Sequence, residues 1–416
     1  MKYNINITSE IGKLNGVILH PPGREVENMT PKNAEKALYS DILNLAVAKK
    51  EYEQLNGVLS KITTALHLGE LLETVLKNEK VKETFINKLC QNENEYQIKD
   101  NLLALNNAEL ADQLITGMVM IKDNLSKFMS LDRYSLPPLH NFFFMRDASI
   151  GINNEVLIGG MANKVRHREA LIMETIFDFH PAFNAKTINP LNSVDEIGNI
   201  QIEGGDVLVA RDDILLIGIG VRTTPQGVDF LIEKYKKEKR TMNIIIQELP
   251  EEPESFIHLD MVFTLLDRDT CMVYEPLILK TNRFATVHIS IENGNVKSIH
   301  EEKDLLLVLK KLGMDLKPVL CGGSTDPWIQ EREQWHSGAN FFAVAPGKVL
   351  GYGRNIYTVD ALNSAGFEVI KANEIIEGAR ALDQYEKAVI TIHGSELSRG
   401  GGGCRCMTMP FNRDDI

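Results

Sequence analysis

Between Pro31 and Pro137 the chain carries no proline, and from Pro137 onward it breaks into short apolar runs punctuated by Gly, Asn and Asp. This change of texture limits the fold more than any other feature. Apolar residues spaced three to four apart suit helices, whereas runs of about four to eight bounded by turn formers suit strands. From about Ala37 to Phe128 the reading is therefore helical. LNLAVAKKEYEQLNGVLSKI places Leu43, Ala46, Val47 and Val58 near one face, and LGELLETVLKN and AELADQLITGM repeat the spacing. After Pro137, ASIGINNEVLIGG, DVLVARDDILLIGIG and FAVAPGKVLGYG each read as two strands and a turn, with Asn153-Asn154, Arg211 to Asp213 and Pro346-Gly347 in the turns. The helical segments KVRHREALIMETIFDFH, TPQGVDFLIEKYKKEK and IYTVDALNSAGFEVI follow. A strand-strand-helix-strand unit recurs, which predicts an α/β protein with a helical insertion.

Four segments of the second region set charged, polar or thiol side chains beside glycines or apolar runs. In FFFMRDASIG, Arg146-Asp147 is either a strand leaving the core or a carboxylate facing a cation. In QIEGGDVLVA, Glu203 and Asp206 flank two glycines, which fit a turn entering a strand or a close approach of backbone to a ligand. In FIHLDMVFTLLD, His258 and Asp260 are two apart, so on a strand they face one side while Ile257, Leu259 and Met261 face the other. Polar side chains among so many apolar ones require partners. The tail runs from Gly400 to Gly403 into Cys404-Arg405-Cys406 and reads as a terminal turn or as a loop presenting a thiol. It lacks the Lys-Ser/Thr of a phosphate cradle, and C-x-C with H-x-D is not the spacing of a structural zinc site.

A net charge of -12 argues against general affinity for nucleic acid or an anionic membrane. No run approaches the roughly 18 apolar residues of a membrane span, and residues 1–16 have no signal-peptide core. Five cysteines, Cys90, Cys271, Cys321, Cys404 and Cys406, are an odd number spread along a long chain. That pattern fits a reducing cytoplasm better than a secreted disulfide framework.

Taken in order, GVILHPPGREVENMTP, NFFFMRDAS, IEGGDVL, HLDMVFTLLD, CGGSTDPWIQEREQWHSGANFFAVAPGKVLGYGRN and RCMTMP make a set that resembles the arginine deiminases of the guanidino-group-modifying superfamily. The resemblance covers nearly the whole chain. It implies the pentein fold, a five-bladed α/β propeller of ββαβ units, formed by residues 1–66 and 129–416. Residues 67–128 would be the helical insertion. It also implies hydrolysis of free L-arginine to citrulline and ammonia through an S-alkylthiouronium on Cys406, in a homo-oligomer, dimer or tetramer.

By position, the resemblance makes Cys406 the nucleophile, His258 the general acid and base, and Glu203 its carboxylate partner. Asp147 and Asp260 grip the guanidinium. Asn141, Arg166 and Arg222 hold the amino acid end, with Asp206 and Gly403 in support, and no metal or organic cofactor is expected. Many members read R-G-R-G-G-P-R-C before the nucleophile, whereas this chain has Gly401 and Cys404 where they have an arginine and a proline. That arginine helps close the family's site over substrate. The alternatives are an amidinotransferase, a deiminase of another guanidine such as agmatine, and a binding protein that kept the fold. The two arginines favour a substrate with a carboxylate.

Overall fold

A computed structural model describes residues 2–34, 39, 41–192 and 199–416 of the chain. Ala37, where the helical reading begins, lies outside the described residues.

One connection recurs through the mixed α/β architecture. Ser149–Ile152 and Glu155–Ile158 form an antiparallel hairpin, then helix His167–Phe179 returns the chain so that Lys186–Ile188 lies parallel to the second strand. Asn153 turns the hairpin at φ 54, a left-handed conformation that Asn tolerates better than most residues. Val207–Arg211, Ile214–Ile219, helix Pro225–Lys237 and Met242–Glu248 repeat the pattern. Thr224 caps that helix by accepting the Gly227 amide, and Pro225 sits at its first turn, where no N–H is missed.

The third unit uses Phe263–Asp267, Thr270–Val273, helix Leu305–Lys311 and Lys317–Leu320. Its chain also detours through a hairpin, Thr286–Glu292 and Asn295–Glu302, that extends the edge of the preceding sheet. The fourth has Phe342–Ala345, Lys348–Tyr352, helix Ile356–Ser364 and Ala388–Ile392, with Glu368–Lys371 added outside. The fifth is built from both ends of the chain: Met409–Arg413 pairs antiparallel with Leu14–Leu19, and after helix Leu45–Ile62 the strand Thr64–His67 lies parallel to it.

The helices Leu68–Leu76, Glu79–Glu93 and Asn107–Thr116 share one hydrophobic core with the first unit. Leu72, Phe85 and Leu114 belong to the same buried cluster as Phe142, Ile172 and Phe177. The helical segment is thus packed onto the sheets through their common interior.

Two sequence-based expectations change. Helix Leu45–Ile62 buries Ala48, Tyr52, Leu55, Val58 and Leu59, while Val47 is 39% exposed, because the stripe follows the i, i+4 row through Tyr52. The helical run also breaks before Phe128: after Gly117, at φ 88, Met118–Val119 pairs with Tyr134–Leu136, leaving only the short helix Leu125–Met129 beyond it. Among the described residues no helix is long and apolar enough to cross a membrane.

Candidate active site

Five polar residues stand just before the first strands of the five units. Asp147 precedes Ser149–Ile152, Glu203 precedes Val207–Arg211, Asp260 precedes Phe263–Asp267, Asn340 precedes Phe342–Ala345, and Cys406 precedes Met409–Arg413. All are buried. An equivalent backbone position in each unit thus delivers one side chain to a common site.

His258 and Asp260 reach that site from a turn, which corrects the strand expected there. Leu259–Met261 is a single 3-10 turn and the strand begins at Phe263. Burial of Leu259, Met261 and Val262 fixes the turn, and the Leu259 amide donates to Asp206 Oδ1 at 2.9 Å. Asp206 is therefore a brace for the histidine turn. Burial pushes its carboxyl up to about 7.

His258 Nε2 lies 3.0 Å from Glu203 Oε2, and Nδ1 faces Asp147 Oδ1 at 3.6 Å. Burial pulls the imidazole down, but Asp147, the Glu203 hydrogen bond and Asp206 outweigh it and hold its pKa at about 9, against the ordinary 6.5. Glu203 moves the other way: burial is overcome by His258, Arg222 and Arg166, which bring it down to about 2. Gly205 has to be glycine, because a Cβ there would stand 2.5 Å from His258 Nδ1 and 2.9 Å from Asp147 Oδ1. At Gly204 a Cβ would stand 2.0 Å from the Arg146 carbonyl oxygen, so both glycines after Glu203 are required.

Cys406 Sγ accepts from Asn340 Nδ2 at 3.2 Å and lies 3.6 Å from Asp260 Oδ2. Burial, then Asp260 and Asp147, pushes its thiol well above the ordinary value, opposed by a backbone hydrogen bond from Gly403 and by the charge of Arg405. Asn340 Oδ1 accepts the amides of Arg405 and Cys406 at 2.9 and 3.2 Å, so one side chain clamps the nucleophile's turn and also touches its sulfur. A Cβ at Gly403 would meet the Asn340 side chain at 2.7 Å, so Gly403 makes room for this clamp.

Three of these residues were not singled out from the sequence: Asn340, Arg405 and Glu10. Arg405 Nη1 donates to Asp260 Oδ2 at 2.8 Å, while its Nε and Nη2 form a bidentate pair with Glu10 at 3.0 Å each. Burial raises Glu10, but Arg405 and Arg146 prevail and bring it down to about 2. The chain Glu10–Arg405–Asp260 fixes the direction of the carboxylate beside the thiol. The signal for Asn340 was present in ANFFAV, a polar residue before an apolar strand, as in the other four segments.

The two arginines assigned to the amino acid end differ. Arg166 is buried and committed: Nε and Nη2 donate to Glu169 at 3.0 and 2.7 Å, Nη1 donates to Asp147 at 2.6 Å, and Nη2 also reaches the Phe144 and Asn141 carbonyls. The expected free fork is thus engaged with Asp147 itself. Arg222 lies 3.8 Å from Glu203 and lines a cavity of about 350 Å³ with Asn163, Ile257, Trp335 and Gly401. Gly400 and Gly401 face this cavity, whereas a Cβ at Gly402 would meet Phe144 and Cys406. The glycine loop thus runs from the wall of the cavity to the nucleophile's turn. Gly401 has φ +84 with open space around it, so the family's arginine at this position would need a left-handed backbone.

Asp147, Glu203 and His258 each offer a ligand atom within 4.8 Å of the others, the spacing of a metal cluster. Arg166 lies 2.6 Å from Asp147 and 4.0 Å from Glu203, and Arg222 lies 3.8 Å from Glu203, so guanidinium groups already supply their countercharge. The group suits a histidine held between two carboxylates better than a cation site.

The family model described as arginine deiminase matches residues 35–413. A protein named arginine deiminase from Listeria monocytogenes serotype 4a is 33% identical over 435 residues, covering 100% of this chain and 99% of that protein. Among solved structures, SxtG, an amidinotransferase from Microseira wollei, superposes with a TM-score of 0.53 at 13% identity, covering 99% of this chain and 98% of its own. DDAH from Pseudomonas aeruginosa, a cysteine-to-serine variant complexed with citrulline, gives 0.51 at 13% identity, covering 96% and 100%. At that identity the structural likeness speaks to the fold alone, a mixed α/β fold of the pentein kind.

Proposed function

The chain belongs to the arginine deiminase family, and on that premise we propose that it hydrolyses free L-arginine to L-citrulline and ammonia through a covalent intermediate on Cys406. The observation that carries the reading is a buried thiol 3.6 Å from Asp260 and under the charge of a second carboxylate, Asp147, which also faces a histidine paired with Glu203. A guanidinium is a delocalised cation whose central carbon is a poor electrophile. Carboxylates on either side fix its plane and hold that carbon over the sulfur, the role we give Asp147 and Asp260.

The thiolate attacks the central carbon and forms a C–S bond. Protonated His258 gives its proton to one terminal nitrogen, which leaves as ammonia and yields the S-alkylthiouronium. Neutral His258 then takes a proton from water as the water attacks the same carbon. Collapse breaks the C–S bond and restores the thiolate, the remaining hydroxyl proton passes to solvent where ammonia takes it up as ammonium, and citrulline is released. Thiol, imidazole and carboxylates supply every group the sequence of steps needs, without a metal or organic cofactor. The direct test is formation of citrulline and ammonia from arginine in equal amounts. Transfer of the amidino carbon to an added amine would mark an amidinotransferase instead.

The acid role sets a pH dependence. His258 must enter the first step protonated and its pKa is raised from 6.5 to about 9, while Cys406 ionises as the substrate cation binds, so kcat at saturating arginine should hold through neutrality and fall as pH rises through about 9. Replacing Glu203 with Gln removes a group that raises this value, so the alkaline fall should move to lower pH. A pH–rate profile unchanged by that substitution would remove His258 as the acid.

Arg222 is the residue we assign first to the substrate's α-carboxylate, since it lines the cavity. Arg166 can join only when the entering guanidinium takes over Asp147, exchanging one guanidinium partner for another. Arg222→Ala should lower kcat/KM for arginine far more than for agmatine, which has no carboxylate. Losing one partner of a buried charge pair costs about 2–5 kcal/mol. Arg222 is 14% exposed, so solvent recovers part of this and a loss of at least about tenfold is expected. Equal losses for both substrates would make Arg222 a structural residue.

We further propose that the five units close around a pseudo-fivefold axis as a five-bladed propeller, residues 1–66 and 129–416, with residues 67–128 inserted. Convergence of five equivalent segments on one site supports it. The free thiols of all five cysteines support a cytoplasmic setting. Val119, Leu125, Phe128, Met129 and Leu131 are exposed together and suit a contact between copies, which sedimentation would register as a dimer or tetramer.

A further inference from the structure

The hairpin Thr286–Glu292 and Asn295–Glu302 is extra to the recurring unit, and it puts two histidines and a carboxylate on one face. His288 and His300 are register partners across the two strands, so ladder hydrogen bonds fix their separation, and their rings meet edge to face at 5.4 Å between centroids. Glu302 is two residues beyond His300 and so shares its face of the strand. One ring nitrogen of each histidine and one Glu302 oxygen lie within 4.8 Å of one another.

From this geometry we propose that His288, His300 and Glu302 form a site for a divalent first-row transition cation of the zinc type, separate from the active site. Two imidazoles and a carboxylate are an accepted donor set for such ions. His300 Nε2 and Glu302 Oε1 are 3.0 Å apart. That matches the roughly 2.9–3.4 Å between neighbouring ligands on a metal with bonds of about 2.0–2.1 Å. The cation takes the place of the proton these two atoms share. Lys311 holds the other oxygen, Oε2, at 2.6 Å and so orients the carboxylate without occupying Oε1. His288 Nε2 donates to Asn243 Oδ1 at 2.9 Å, which fixes the ring by its far side in the manner of ligand histidines and leaves Nδ1 with its lone pair. His300 is 49% exposed, so the ion has access from solvent. Bound there, it ties the two strands of the hairpin together.

The test is calorimetric titration of Zn2+ into the full chain and into a His288→Asn, His300→Asn double variant, with melting temperature and citrulline formation measured on both. The wild type should bind one Zn2+ that the double variant binds at least about tenfold more weakly, since even loss of a ligand's supporting hydrogen bond costs that much. Zn2+ should raise the melting temperature of the wild type only, and EDTA should reverse the rise. Deiminase turnover of the metal-free variant should equal that of the wild type, which shows the substituted chain is folded. Equal affinity in both proteins, or no binding by the wild type at millimolar Zn2+, would overturn the site.

Discussion

Cys406→Ala should form no citrulline at all while folding as the parent chain does. The lost atom is one sulfur in a turn whose backbone is held by Asn340 Oδ1 through two amide hydrogen bonds, and those bonds survive the substitution. The change in stability should stay near 1 kcal/mol, as for other small deletions from a buried site. The chemistry has no substitute for the sulfur. Nucleophile loss in covalent hydrolases lowers kcat by on the order of 10⁶. Cys404 is the one thiol near enough in sequence to be considered, but it is fully buried, and desolvation alone drives its pKa up. No carboxylate is among the groups that act on it, whereas Cys406 responds to both Asp260 and Asp147. Mass spectrometry of enzyme quenched during turnover should place an amidino adduct on Cys406. An adduct on Cys404, or turnover by Cys406→Ala, would move the nucleophile.

The hairpins around Asn153 and Pro346 and the helix Pro225–Lys237 could be read from the sequence because their signals are local: a turn residue that tolerates left-handed backbone, or a cap followed by proline. The residues that hold the nucleophile could not be found that way. Glu10 and Arg405 are 395 positions apart, and they meet through the pairing of Leu14–Leu19 with Met409–Arg413 and through bonds that both make to the strand Val207–Arg211. Asn340 lay in a segment whose family likeness was plain, yet its role follows from equivalence with Asp147, Glu203, Asp260 and Cys406, which is a statement about the repeat. His258 and Asp260 were read as sharing a face for the wrong reason. A strand would align them by its period of two, whereas the turn Leu259–Met261 does so through the bond of Leu259 to Asp206. Periodicity reports which residues are buried and says little about where a strand begins. In this chain the chemistry sits at those beginnings.

Asp260→Asn should move turnover and thiol reactivity in opposite directions, a result that separates the two jobs this carboxylate does. Toward substrate it is one of two anions that grip the guanidinium, so its neutral isostere should cost about 2–5 kcal/mol of transition-state binding, or roughly 30- to 5,000-fold in kcat/KM. Toward Cys406 it is a like charge 3.6 Å from the sulfur that disfavours the thiolate. Removing that charge lowers the thiol's pKa, and Arg405, left with Glu10 alone as its anionic partner, adds to the effect. Asn can still accept the Arg405 Nη1 hydrogen bond through Oδ1, so the turn should keep its place. Alkylation of Cys406 by iodoacetamide at neutral pH should therefore be faster in Asp260→Asn than in the wild type, even as citrulline formation falls. In the wild type the missing positive charge is brought by substrate: a guanidinium between Asp147 and Asp260 offsets both carboxylates, so thiolate absorbance should rise when a non-hydrolysed arginine analogue binds. In the variant much of that absorbance should be present before the analogue is added. Slower alkylation in the variant, or a wild-type absorbance indifferent to the analogue, would mean that the carboxylates do not set the thiol's ionisation and that Cys406 is activated by His258 alone.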